Sequence, residues 1–391
     1  MNARRVLLEL FDSALRAVNG RERVEERLRH APDKRSAVFA IGKAACAMSL
    51  GARAALGDRL EQIFIVTKEG HVDPQLQGEG VTLLESAHPV PDARSLEAGA
   101  ELARRVAGLR ADLWPIFLIS GGSSSLVELL REGETLESLR TLNERGLAAG
   151  WDIGKLNAER TRISQIKGGG ITRLLGQRDA LALFISDVPG DDPSVIGSGL
   201  LGQVDGGDPV TRHIVANISG AVRQVADAAH AHGLDLESRE TRFDGDVNAV
   251  ASEFLEALRA THADGLVWGG ESTVTLPDVH GRGGRNTHLA LTIARSLRPG
   301  ERLQILAAGT DGTDGPTSDA GAIVDAHTIE RATIAGCDVE RAWREFDSGI
   351  VLEAAEDLVH TGPTGTNVGD ILIGLKQPAG ALRGDPLPRM L

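Results

Sequence analysis

At 391 residues the chain exceeds the roughly 100 to 200 residues of a usual domain, so two domains are expected rather than one oversized core. Hydrophobic residues at 41% and charged residues at 25% stand near the globular average, which excludes disorder, collagen and fibrous repeats. With 42 Lys+Arg against 55 Asp+Glu, the formal charge of −13 repels phosphate backbones and anionic lipid. That argues against nucleic-acid and membrane-surface roles and leaves small ligands open.

The N-terminal MNARRVLLELFDSALRAVNG carries acids within its apolar stretch and has no small-residue cleavage site, so it reads as an amphipathic helix rather than a signal peptide. No run approaches the about 18 apolar residues of a membrane span. Cys46 and Cys337 form neither a disulfide framework nor a metal-spaced cluster, which fits a reduced cytoplasm. Short apolar runs then alternate with segments of helical period, the pattern of βα units on a mainly parallel sheet, so the fold class is α/β. Strands are expected at 37–41, 63–67, 81–84, 116–119 and 181–185, with helices at 93–109, 136–149 and 211–230. A helix over 247–260 restarts the pattern, followed by strands at 265–268, 273–276, 303–308, 322–324 and 371–374 and helices near 286–296 and 326–334. The boundary is expected in the polar stretch 232–245, dividing the chain into residues 1–235 and 236–391. The tail QPAGALRGDPLPRML is expected to wrap the surface or move.

Five glycine loops carry the candidate chemistry. In FAIGKAACAMSLGARAAL a strand ends at Gly42-Lys43 and a helix begins, which puts an ammonium at the carboxyl edge of the sheet, where α/β proteins bind ligands. Only six basic residues are lysines against 36 arginines, so a lysine here stands out. The loop is not a Walker A motif, because Ala44 and Ala37 occupy the Ser/Thr and first glycine positions. A solvated lysine in a turn is an equal reading. In FLISGGSSSLVELL, Ser120, Gly121, Gly122, Ser123, Ser124 and Ser125 supply hydroxyls and close backbone approach that suit a phosphate or carboxylate. The spacing is not a G-x-S-x-G elbow, which argues against a serine hydrolase. In LALFISDVPGDDPSVIGSGLLG a strand delivers Asp187, followed by Asp191 and Asp192, acids that suit a divalent cation or a substrate hydroxyl. The literal G-x-G-x-x-G at 197–202 is discounted, because no strand leads directly into it and no clear helix follows.

In GLVWGGESTVTLP and HGRGGRNTHLALTIA, Glu271 precedes Arg282 and Arg285. Arg285 at a helix N-terminus is unfavourable unless neutralised, by a bound anion or by a neighbouring acid. The loop LAAGTDGTDGPTSDAGAIVD packs Thr310, Asp311, Thr313, Asp314, Thr317, Ser318 and Asp319 among glycines, as a nucleotide-phosphate or Mg²⁺ loop would. TGPTGTNVGDILIGL adds Thr364, Thr366, Asn367 and Asp370. The 11 histidines show no zinc spacing.

Taken in order, GKA, SGGSSSL, SDVPGDD, GGESTV, GRGGRN, GTDGTDGPTSDAGA and TGTNVGD resemble the glycerate 2-kinase family over about residues 35 to 375. Members of that family also go under the name hydroxypyruvate reductase and carry a MOFRL domain in their second half. The resemblance implies ATP-dependent phosphorylation of D-glycerate to 2-phosphoglycerate with Mg²⁺. It also implies a Rossmann-like N-terminal domain and a smaller α/β domain with the site in the cleft between them. Lys43 and Arg285 match the family lysine and arginine implied to face the transferred phosphoryl group. The chain departs from the family at three places: Thr287-His288 follow GGRN where Gln-Glu is usual, Gly369 replaces an asparagine, and Ser123 and Ser125 replace a glycine and an alanine. A four-carbon sugar acid therefore stays open as the acceptor.

On this reading Lys43, Arg285 and Asp187 are catalytic. Ser120, Gly121, Gly122, Ser123, Ser124, Glu271, Thr310, Asp311 and Asn367 bind substrate or phosphate, and Asp191 and Asp314 hold the metal. ATP and Mg²⁺ are the cofactors, and a homodimer stays open. The alternatives are an NAD(P)H-dependent hydroxypyruvate reductase, which lacks a strand–G-x-G-x-x-G–helix unit, and a non-catalytic sugar-acid sensor, which lacks a DNA-binding or signalling element.

Overall fold

The computed structural model describes residues 2–377 apart from 150, 152, 206 and 278; the tail expected to wrap or move lies outside them beyond Gln377. The chain packs as two compact units, each with its own sheet. No helix among the described residues is long and apolar enough to cross a membrane.

One unit comprises Val18–Asn217 and Gly365–Val368. Its strands are β1 (Ser36–Ile41), β2 (Leu60–Lys68), β3 (Val81–Ser86), β4 (Trp114–Ile119), β5 (Ala180–Ile185) and β6 (Val210–Ala216). All are parallel, in the order β3-β2-β1-β4-β5-β6. SAVFAI and ALALFI are buried at every residue, because helices cover both faces of such a sheet and no polar alternation survives. Phe39 of β1 stacks on Phe117 of β4 with centroids 5.1 Å apart in the core of this unit.

The other unit comprises the chain to Ala17, Ile218–Thr364 and the segment from Gly369. It holds β7 (Leu236–Ser238), β8 (Phe243–Asp246), β9 (Gly265–Thr273), β10 (Leu303–Gly309), β11 (Gly321–Asp325), β12 (Leu358–Val359) and β13 (Asp370–Lys376). The order is β12-β11-β10-β13-β9-β7, with β8 also on β9. Pairing is antiparallel except where β7 and β8 run parallel to β9. The first helix, Ala3–Ala17, belongs here: Gln224 Nε2 donates to Ser13 Oγ at 3.0 Å, and Arg4 pairs with Asp357 at 3.1 Å.

Three expectations differ from what is observed. Residues 210–216 form strand β6 and the helix starts only at Ile218, because Val210, Thr211, Ile214 and Val215 are β-branched and fit a pleated edge better than a helix. The expected strand at 273–276 is absent, since β9 already ends at Thr273. The chain passes between units at 217–218 rather than 235–236, because helix Ile218–Ala231 packs on β9, where a methyl on Gly269 would touch Ile218 Cγ1 at 2.3 Å.

Candidate active site

In the parallel sheet the strand order reverses between β1 and β4, and the carboxyl ends of those two strands open the crevice where such sheets take ligands. The two turns leaving them are laced together. Ser120 N donates to Ile41 O at 3.0 Å, Lys43 N to Gly121 O at 3.0 Å, and Ala44 N to Ser120 Oγ at 3.0 Å. Ser120 is thus a buried brace for the lysine turn. Helix Ala45–Leu56 begins behind it with no side-chain cap, so its first N–H groups and Lys43 stand at the same edge of the sheet.

β5, on the other side of β4, delivers Asp187. Asn367 Nδ2 donates to Asp187 Oδ2 at 3.0 Å, joining a strand end to the segment 365–368. Both side chains lie over Gly121, where a methyl would come within 2.0 Å of Asn367 Nδ2 and of Asp187 Oδ2. A glycine is required there by close approach. Asp191 adopts φ +53°, uncommon for a residue with a Cβ, and accepts from Asn217 Nδ2 at 2.6 Å. The serines differ from the expected cradle. The helix that follows Gly122 is a single turn, Ser123–Leu126, Ser125 Oγ donates to Gly122 O at 3.0 Å, and Ser123 Oγ is buried among atoms that offer it no hydrogen bond. Ser124 is half-buried.

The second group of candidates lies in the mixed-sheet unit. Arg285 opens helix Arg285–Ser296 and binds Asp370 of β13 through Nε–Oδ2 at 2.7 Å and Nη2–Oδ1 at 3.1 Å, while Nη1 reaches Glu271 of β9. The expected neutralising anion is therefore supplied by the protein's own carboxylates. Burial works to lower the Arg285 pKa, but Asp370 and Glu271 outweigh it and hold it raised. Burial raises that of Asp370, against the opposing pull of Arg285.

Asp314 closes the same helix. Its Oδ1 accepts from Asn286 N at 2.9 Å, and its Oδ2 accepts from Thr287 N at 2.7 Å and Thr287 Oγ1 at 2.8 Å. Burial pushes its pKa up to about 6 despite these three donors. Both oxygens of this expected metal ligand are thus engaged as a helix cap. Asp311 Oδ1 accepts from Thr313 N at 3.0 Å, Thr310 Oγ1 donates to Gly369 O at 2.6 Å, and Asp319 pairs with Arg282 and His360 at 3.1 and 3.2 Å. The acid-rich loop is therefore largely bonded to the protein's own groups. Among the described residues, no group of three or more His, Cys, Asp or Glu could hold a metal.

The structure thus brings Lys43, Ser120, Gly121, Gly122, Ser123, Ser124, Asp187, Asp191 and Asn367 into one unit. Arg285, Glu271, Thr310, Asp311 and Asp314 fall in the other. Sequence reasoning missed Asn217, the partner of Asp191, and His88, which lies against Gly122. The only signal for His88 was its place just past the carboxyl end of a parallel strand.

Residues 6–226 match the family described as a domain of unknown function, DUF4147, and residues 265–370 match the MOFRL family. A D-glycerate 2-kinase of Thermotoga maritima is 32% identical, with 95% of this chain and 98% of that protein aligned. A protein of Agrobacterium vitis that bears a hydroxypyruvate reductase name is 34% identical, with 95% and 94% aligned. The crystal structure of glycerate kinase from Thermotoga maritima matches with a TM-score of 0.83 at 31% identity, covering 95% of this chain and 99% of that one. The motif series, the paired sheets and these relatives agree that the chain belongs to the glycerate 2-kinase family.

Proposed function

We propose that the chain transfers the γ-phosphoryl group of ATP to the 2-hydroxyl of D-glycerate, giving 2-phosphoglycerate and ADP. The observation that carries this reading is the crevice at β1 and β4. There Lys43 precedes a helix N-terminus without a side-chain cap, and Asp187, oriented by Asn367, crosses Gly121 in the same unit. Phosphoryl transfer asks the protein for anion cradles, a cation and a group to place the hydroxyl rather than for covalent chemistry. Asp187 accepts the hydroxyl proton as the glycerate oxygen bonds to the γ-phosphorus and the bond to the β-phosphate oxygen breaks. Lys43 meets the charge that moves to the leaving oxygen. In the mixed-sheet unit Arg285 is a candidate anion-binding cation: buried Asp370 orients its fork, while its other partner Glu271 is 42% exposed. Ser120 braces the lysine turn, Ser123 and Ser124 lie in the serine loop of the same unit, and Thr310 and Asp311 lie in the acid-rich loop of the other.

ATP would be used with Mg²⁺. Asp191, one carboxylate oxygen of which accepts from Asn217 Nδ2, is the acid of this unit that would hold such an ion. An ion that arrives on the phosphates and keeps most of its water needs no closed protein cage. When bound it neutralises phosphate charge. Of the two acids expected at the metal, Asp191 is the candidate, because Asp314 serves the helix.

Against a reductase stands the first βα turn, the place of the dinucleotide fingerprint in a sheet of this order, which reads Gly42-Lys43-Ala44-Ala45-Cys46-Ala47 with one glycine. The test measures ADP release from ATP with D-glycerate or a four-carbon sugar acid, beside NAD(P)H consumption with hydroxypyruvate. ADP release with glycerate is expected; cofactor oxidation without ADP release would overturn the proposal.

A further inference from the structure

β3 ends at Ser86, and the chain continues through Ala87, His88 and Pro89 before helix Ala93–Ala107. Both ends of this segment are tied: Ser86 Oγ and Ser95 Oγ share a hydrogen bond of 3.0 Å, and Asp92 Oδ1 accepts from Arg94 N at 2.9 Å as the helix cap. β3 stands two places from β1 in the sheet, yet the His88 ring reaches the serine loop. A methyl on Gly122 would lie 2.9 Å from His88 Cδ2, 3.1 Å from its Nε2 and 3.4 Å from Lys43 Cγ. The imidazole edge and the lysine stem therefore converge on one point above the Gly122 Cα. Gly122 has φ +85°, a region that favours glycine, and so leaves that point without a side chain.

We propose that His88 is a second hydrogen-bond donor at the Lys43 site and contacts the transferred phosphoryl group; this rests on the kinase reading. With its proton on Nε2 a neutral imidazole donates there as an imidazolium does, so the role needs no titration. During transfer the bond from the glycerate oxygen to the γ-phosphorus forms and the bond to the β-phosphate oxygen breaks, while His88 donates to a γ-oxygen and takes no proton. Lys43 supplies mobile charge, and His88 supplies a donor fixed in direction by a short, tied segment. A donor aimed at the charge of the transition state raises kcat more than it lowers KM.

The test compares wild type with His88→Ala and His88→Gln, the amide nitrogen of glutamine standing in for Nε2. The alanine variant is expected to lose kcat by on the order of a hundredfold, with KM for D-glycerate nearly unchanged and Tm retained. The glutamine variant is expected to recover a large part of kcat. Calorimetry with inorganic phosphate is expected to show weaker binding to the alanine variant than to wild type. Unchanged kcat, a loss confined to the glycerate KM, or glutamine no better than alanine would overturn the assignment. If the alanine variant fails to fold, the glutamine variant decides. If wild type releases no ADP with glycerate, the kinase reading falls, while His88-dependent phosphate binding would still support the donor; ADP release with phosphate affinity and kcat indifferent to His88 would sink the donor alone.

Discussion

Arg285 holds Asp370 with two hydrogen bonds, Nε to Oδ2 at 2.7 Å and Nη2 to Oδ1 at 3.1 Å, across 85 residues of sequence. Asp370 is 2% exposed and Arg285 34%, so the carboxylate is the buried anchor and the guanidinium the group that turns outward. Asp370→Asn is expected to destabilise the protein by about 2 kcal/mol, the scale of leaving a partly buried cation short of its partner. Arg285→Lys keeps the charge and loses the fork, so it should lower kcat with a smaller change in stability. Urea unfolding and steady-state kinetics on both variants check this; wild-type kinetics in Arg285→Lys would reduce the pair to a structural tie.

Lys43→Ala is expected to lower kcat by on the order of a hundredfold while Tm stays nearly unchanged, because the side chain follows a turn whose backbone bonds are made without it. Lys43→Arg should rescue little, since the larger fork must fit between the turn and the Gly122 loop. Full ATP-dependent activity in Lys43→Ala, or an effect limited to unfolding, would remove the lysine from the chemistry.

Gly121→Ala places a methyl 2.0 Å from both Asn367 Nδ2 and Asp187 Oδ2, and should drive that pair apart. Its activity is expected to fall toward that of Asp187→Asn, in which the proton acceptor is lost. Turnover at saturating Mg²⁺ measures both. If Gly121→Ala keeps turnover while Asp187→Asn loses it, the Asp187–Asn367 contact is dispensable for placing the carboxylate.

The buried groups of the mixed-sheet unit carry opposing pH slopes. Asp314, raised by burial from 3.8 to about 6, favours the folded state below its unfolded pKa, and that stability is lost as pH rises through about 6. His288 runs the other way. Burial, opposed by Asp246 and assisted by Arg295, lowers it from 6.5 to about 4, so its contribution is present above its unfolded pKa and lost as pH falls through about 4. Between pH 4 and 6 the two offset each other. Asp314→Asn should therefore show stability rising with pH more steeply than wild type, and His288→Asn a slope shifted toward falling. Urea unfolding across pH 4–7 reads the slopes; three parallel profiles would show that these groups do not titrate as described.

Local chemistry made much of this molecule legible. Runs such as AVFAI and ALALFI announce strands covered on both faces, because an apolar run without polar alternation suits a sheet buried on both sides. Lys43 and Asp187 could be singled out because each directly follows such a strand, and a parallel strand places its carboxyl end at the ligand edge. What periodicity could not carry was pairing between distant segments. That β1 neighbours β4, so that Lys43 N meets Gly121 O, depends on the strand order. Asn367 reaches Asp187 across 180 residues, Asp370 rather than a bound anion neutralises Arg285, and Asp314 caps a helix that begins 29 residues before it. The passage between units at 217–218 was likewise hidden, because helix Ile218–Ala231 shows its amphipathic face in sequence but not which sheet covers it. Burial and hydrogen-bond satisfaction act on groups wherever the chain brings them, so composition and spacing name the reactive residues and only the folded packing assigns their partners.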